Sequence, residues 1–145
     1  MPIVKNLTSV IWENEEFELM IENYELILRI LRYFAQDVNE YPANLSFEQL
    51  QAAFNDTEAD ILKYHLWICM ELRLLNGEFT HSKAWARTEL LIIMVHGLTQ
   101  SGGEYFRHSE AGIWNRALEE LNDRDLPITT RNLIDSLGRL RNQEI

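Results

Sequence analysis

Residues 57–76, TEADILKYHLWICMELRLLN, constrain the fold more than any other stretch of this chain. Apolar or semi-polar side chains recur at Ile61, His65, Ile68, Leu72 and Leu75, with Leu62, Leu66 and Cys69 beside them. A repeat of three to four residues places them on one side of a helix, and that side has to be buried. Thr57 suits the N-cap, Asp60 follows in the first turn, and Asn76-Gly77 offers a stop. The spacing predicts one long helix over 57–76. Its other face carries Asp60, Lys63, Tyr64, Trp67, Glu71 and Leu74. An outward row holding Tyr64 and Trp67 suggests a surface made for another macromolecule.

The neighbouring stretches supply partners for that helix. Met20 to Gln36 reads as a strong helix, with Ile21, Tyr24, Ile27, Leu28, Leu31 and Phe34 on its apolar stripe. Glu25 and Arg29 stand at i, i+4 on the water side. A connection containing Pro42 leads to Ser46, which with Gln49 forms a capping box for a short helix over Phe47 to Phe54. Phe47, Leu50 and Phe54 point inward, and Asn55-Asp56 breaks the helix. Beyond Gly77 the pattern changes. Glu78 to His81 and the aliphatic run Glu89 to His96 read as two short strands, joined by a loop that holds Trp85. Three helices followed by a two-stranded hairpin give the winged-helix plan.

From Leu98 the chain returns to helix. Thr99 caps a first short helix over Ser101 to Arg107, Ile113 to Leu121 forms a second, and Thr129 or Thr130 opens a last one through Leu140. The expected fold is mainly α: a winged-helix-like core over 20–97, with a C-terminal helical extension over 98–145 packed on it as one domain. Residues 1–19 form an N-terminal extension that reads as a strand, an arm or a lead-in to the first helix. Trp12 within it is a plug for the core or an anchor for a partner.

Charge narrows the function. The net charge is -10, and it is uneven. Residues 1–40 hold three basic and eight acidic side chains, residues 41–80 two and six, and residues 81–145 eight and nine. Nucleic-acid binders draw most of their affinity from phosphate contacts, so the first 80 residues argue against DNA. The C-terminal arginines Arg107, Arg116, Arg124, Arg131, Arg139 and Arg141 are interleaved with carboxylates and read first as helix-surface ion pairs. A single cysteine excludes an internal disulfide framework and fits a reducing compartment. No signal peptide is evident, and the longest aliphatic run, Leu90 to Val95, is too short to span a bilayer. A cytoplasmic location follows as the expectation.

The residues capable of chemistry do not assemble into a reaction centre. His65 and Cys69 stand at i, i+4, a spacing that can hold a transition metal, but two ligands are too few. A satisfied core histidine beside a buried thiol is the better reading. Among Leu66, Ile68, Met70 and Leu72 the thiol is also a poor nucleophile. The run Glu13, Glu15, Glu16, Glu18 and Glu22 reads as a solvated face before a general acid/base pair. Gly102-Gly103 lies at a helix start but lacks the phosphate-loop spacing and lysine, which leaves a turn or close packing. No enzyme, cofactor or metal is expected.

Three motifs carry a resemblance: Tyr64-His65-Leu66, then Leu98-Thr99 with Gly102 and Glu104-Tyr105, then Ile113-Trp114-Asn115-Arg116-Ala117. Together they resemble a family of phage and bacterial proteins described only as a domain of unknown function with a winged-helix-like core. The likeness covers residues 20–145. The segment before Trp114 is about one residue short of the pattern, and Asn76-Gly77-Glu78-Phe79 replaces a glycine-aliphatic ending. The resemblance implies a fold and a mobile-element setting, with no catalytic residues. Small phage proteins of this kind include transcription regulators and inhibitors of host defence.

Two functions remain. The first is a non-enzymatic interaction protein that binds a protein or ribonucleoprotein, with competition for a basic nucleic-acid-binding surface, in the manner of anti-CRISPR inhibitors, as one form of it. It would use Tyr64, Trp67, Asp60, Glu71, Glu13, Glu15, Glu16 and Glu18. The second is a dimeric winged-helix DNA-binding regulator, with Lys63, Arg73, Lys83, Arg87 and Arg116 on phosphates. Carboxylates at the start of the third helix disfavour it.

Overall fold

The computed structural model describes residues 3–4, 9–13, 16–17, 20–38, 40–83 and 87–143; at 3–4 and 9–12 the description is of the backbone. Trp85, Glu15, Glu18 and the side chain of Trp12 fall outside it. Strands β1 (Ile3–Val4) and β2 (Ser9–Glu13) come first, then helix α1 (Tyr24–Arg32) running into a π-helical turn, Tyr33–Asp37. Helices α2 (Phe47–Ala53) and α3 (Ala59–Glu71) precede strands β3 (Leu75–Lys83) and β4 (Arg87–Leu98). Helices α4 (Gln100–Ser109), α5 (Ile113–Asp123) and α6 (Thr130–Gln143) complete the chain. The protein is mainly helical, around an antiparallel sheet. No helix among the described residues is long and apolar enough to cross a membrane.

The predicted first helix begins later than its apolar stripe suggests. Asn23 is the N-cap, accepting from the amides of Glu25 and Leu26. Ile21 therefore lies ahead of the helix and is 86% exposed, not inward as the periodicity implied. Of the rest of the stripe, Ile27, Leu31 and Phe34 are buried and Tyr24 and Leu28 are half-buried, while Leu26 and Ile30, outside the expected stripe, are buried as well. Arg29 bonds both carboxylate oxygens of Asp56 at 3.2 and 3.1 Å, so its charge ties α1 to the α2–α3 turn.

The hairpin forms as expected and is longer at both ends. It belongs to a larger sheet of order β1-β2-β4-β3. Strand β2 pairs antiparallel with the first half of β4, Ser9 opposite Leu91 and Glu13 opposite Arg87. The described part of the N-terminal segment is thus built into the sheet, and the two-stranded wing expected from sequence is half of what exists. Leu45 bridges Val95 further along the same side, so β4 is flanked on both sides and its Leu90, Ile92 and Val95 are fully buried.

Helix α3 is shorter than its pattern. It starts after Glu58, not Thr57, and ends at Glu71. Arg73 takes a left-handed φ of 59°. The amide of Leu74 then donates to Cys69 O at 2.8 Å, and that of Arg73 to Met70 O at 3.1 Å. This is the Schellman closure of a helix, with arginine where glycine is usual. It swings Leu74 and Leu75 into the core, 2% exposed each, and starts β3. Leu74 is not on the outer face.

Candidate interaction face

The residues singled out on the central helix occupy unlike environments, because α3 is packed on nearly every side. Leu62, Lys63, His65, Leu66, Ile68, Cys69 and Met70 are all buried. Of its thirteen residues only Glu71 is classed as exposed.

Lys63 is the sharpest correction. It was expected on the water side and as a phosphate contact, yet it is 0% exposed. Its Nζ stands 4.5 Å from the centre of the Phe47 ring and has no hydrogen-bond partner among the described residues. Burial pushes the amine down to about 8, with Glu48 opposing the shift. A lysine so placed cannot reach a duplex.

Tyr64 and Trp67 are half-buried rather than an outward row. Phe17 lies over them, its ring centre 5.7 Å from Tyr64 and 5.3 Å from Trp67. His81 of β3 packs at 4.8 Å from Trp67. The Tyr64 hydroxyl donates to Met20 O at 3.4 Å, and burial raises its pKa. Trp67 Nε1 is buried with no partner among the described residues. These rings cement the segment before α1 onto α3, a role that short apolar stretches such as Phe17-Glu18-Leu19-Met20 do not reveal by periodicity.

His65 and Cys69 are core residues. The ring Nδ1 of His65 lies 2.7 Å from Ile61 O, and its Nε2 accepts from the amide of Asn23 at 2.8 Å. That pairing fixes the neutral tautomer with the proton on Nδ1. Burial lowers the histidine's pKa and raises that of the fully buried Cys69 thiol, which removes its nucleophilicity. Among the described residues no group of three or more His, Cys, Asp or Glu could hold a metal.

What remains at the surface is acidic. Glu13, Glu58 and Glu71 are exposed, while Asp60 and Glu16 are partly so. A cleft of about 450 Å³ runs beside this face, with Glu22 and Glu71, Tyr64 and Trp67, and Arg131 on its walls. Glu22 was not singled out for a role of its own, yet it spans the molecule. Its Oε2 accepts from the amide of Thr130 at 2.6 Å, placing a carboxylate at the N-terminus of α6, where the helix dipole favours one. Burial raises its pKa and the Thr130 amide opposes the rise.

The basic residues are scattered. Arg73 is exposed at the end of α3, Lys83 and Arg87 flank the hairpin turn, and Arg116 is exposed on α5. Arg87 lies directly across from Glu13 in the sheet. Arg124 and Arg139 both pair with Glu120, at 3.5 and 2.5 Å, and lower its pKa, Arg139 most.

Compared with known proteins, the chain matches no family model, no curated sequence and no solved structure.

Proposed function

We propose that this is a non-enzymatic, phage-type interaction protein of the cytoplasm that binds a protein or ribonucleoprotein through an acidic surface. The order of α1, α2, α3, β3 and β4 supports reading 20–97 as a winged-helix-like core, carrying α4 to α6 as an extension. One observation carries the functional part. At the position where such a core would meet phosphate, the outward side chains are Glu58, Asp60 and Glu71, and the helix's only lysine is buried. That surface repels a duplex and complements a basic protein. A basic nucleic-acid-binding surface on the partner, as in a host-defence complex, fits such a mimic of negative charge.

The test is capture from a host lysate with the tagged full chain, with and without nuclease. A protein partner retained after nuclease, and lost on combined Glu58→Lys, Asp60→Lys and Glu71→Lys, is the expected result. Recovery of nucleic acid alone would overturn the reading. The DNA-binding alternative keeps Arg73, Lys83, Arg87 and Arg116 at the surface and loses Lys63 to the core. A log–log salt slope near zero for duplex binding removes it.

A further inference from the structure

The groove between α2 and α3 holds features that the acidic-surface reading leaves unused. It measures about 650 Å³, within the size range of small-molecule sites, and Phe47, Ala52 and Ala59 contribute to its walls. Lys63 lines it and, as described, is fully buried, with no hydrogen-bond partner for Nζ among the described residues. Helical side chains lean toward the helix N-terminus, so this ammonium is carried back toward the first turn of α3. The Glu58 side chain makes no capping bond to that turn. A helix N-terminus carries roughly half a positive charge. The ammonium and the helix N-terminus therefore border the same apolar cleft, and among the described residues no anion is bonded to the ammonium. The Phe47 ring offsets only part of the ammonium's desolvation. Gln51 adds a second unpaired group: its Nε2 donates to Thr57 O at 2.9 Å, and its buried Oε1 has no partner among the described residues.

We propose that the α2–α3 groove is a binding site for a small monocarboxylate with an apolar body, such as a medium-chain aliphatic acid. The carboxylate pairs with Lys63 and the first-turn amides of α3, and the hydrocarbon covers Phe47, Ala52 and Ala59. A hydroxyl or N–H on the body would satisfy Gln51. Glu48 and Glu58 also line the groove, and their charge selects against phosphates and dicarboxylates.

Octanoate and 1-octanol, titrated separately into the full chain and followed by amide and ring NMR shifts, test this. Octanoate is expected to bind roughly tenfold or more tighter than the alcohol, with shifts at residues 59–61 and at Phe47. Lys63→Met should abolish the preference while keeping the alcohol's affinity. Equal affinities in the wild type, an unchanged preference in K63M, or shifts away from the groove would overturn the proposal. If K63M does not fold, the wild type decides. Its octanoate affinity should fall between about pH 7 and about pH 10, as the Lys63 ammonium, which gives up its proton at about 8 in the free protein, is lost. A flat profile overturns it.

Discussion

Two residues, Lys63 on α3 and Arg73 in the turn that closes it, are held against their preferences. Lys63 keeps an ammonium in an apolar groove, and replacing it with an apolar chain of like length removes a desolvation cost. Lys63→Met is expected to raise the unfolding free energy near neutral pH by about 1–3 kcal/mol. The folded amine gives up its proton near 8 and the unfolded one near 10.5. Across that interval the unfolded chain holds more protons, so wild-type stability rises with pH and the gap to K63M closes. Urea titrations of both proteins across the interval check this; a gap that widens would show that the ammonium is stabilising. Arg73 pays a smaller cost, a left-handed φ of 59°. Arg73→Gly relieves it and should stabilise by about 0.5–1 kcal/mol, read as a higher urea midpoint at unchanged slope.

At the scale of elements, close approach decides which glycines matter. A Cβ at Gly102 would meet the backbone carbonyl of Leu74, on the turn that closes α3, whereas one at Gly103 would meet only the mobile end of Arg107 at 3.6 Å. Adjacent positions on α4 should therefore respond oppositely. Gly102→Ala is expected to cost about 1–3 kcal/mol by prising α4 off that turn. Gly103→Ala should gain about 0.5–1 kcal/mol from backbone entropy alone. Thermal unfolding of the two variants distinguishes them; similar shifts would refute the packing argument. Element ends were legible where their chemistry is local. The Ser46–Gln49 box closes reciprocally at 2.9 and 3.3 Å, and Thr99 Oγ1 accepts from the Gly102 amide at 2.9 Å. The ends of α3 were not, because its apolar pattern continues unbroken from a helix, through a turn, into β3.

Across the whole molecule, the chain is tied by contacts that join distant segments. Glu22 caps α6, 108 residues away; Phe17 covers α3; β2 closes onto β4. Glu22→Ala should lower stability by about 1 kcal/mol, since it removes the acceptor for the buried Thr130 amide. Amide exchange at the start of α6 should quicken in that variant, and unchanged exchange there would show that the cap is idle. The sequence by itself determined the presence of the helices, the caps at Ser46 and Thr99, the hairpin and the surplus of negative charge, because each depends on residues within a few positions of one another. It could not decide which faces are buried. One-sided periodicity assumes that one side of a helix meets water, and α3 is enclosed by α1, α2, the sheet and Phe17, so Lys63, Tyr64 and Trp67 went under cover. Only the tertiary structure decided that, and with it the pairing of β2 to β4, because strand pairing and enclosure are contacts between residues far apart in the chain.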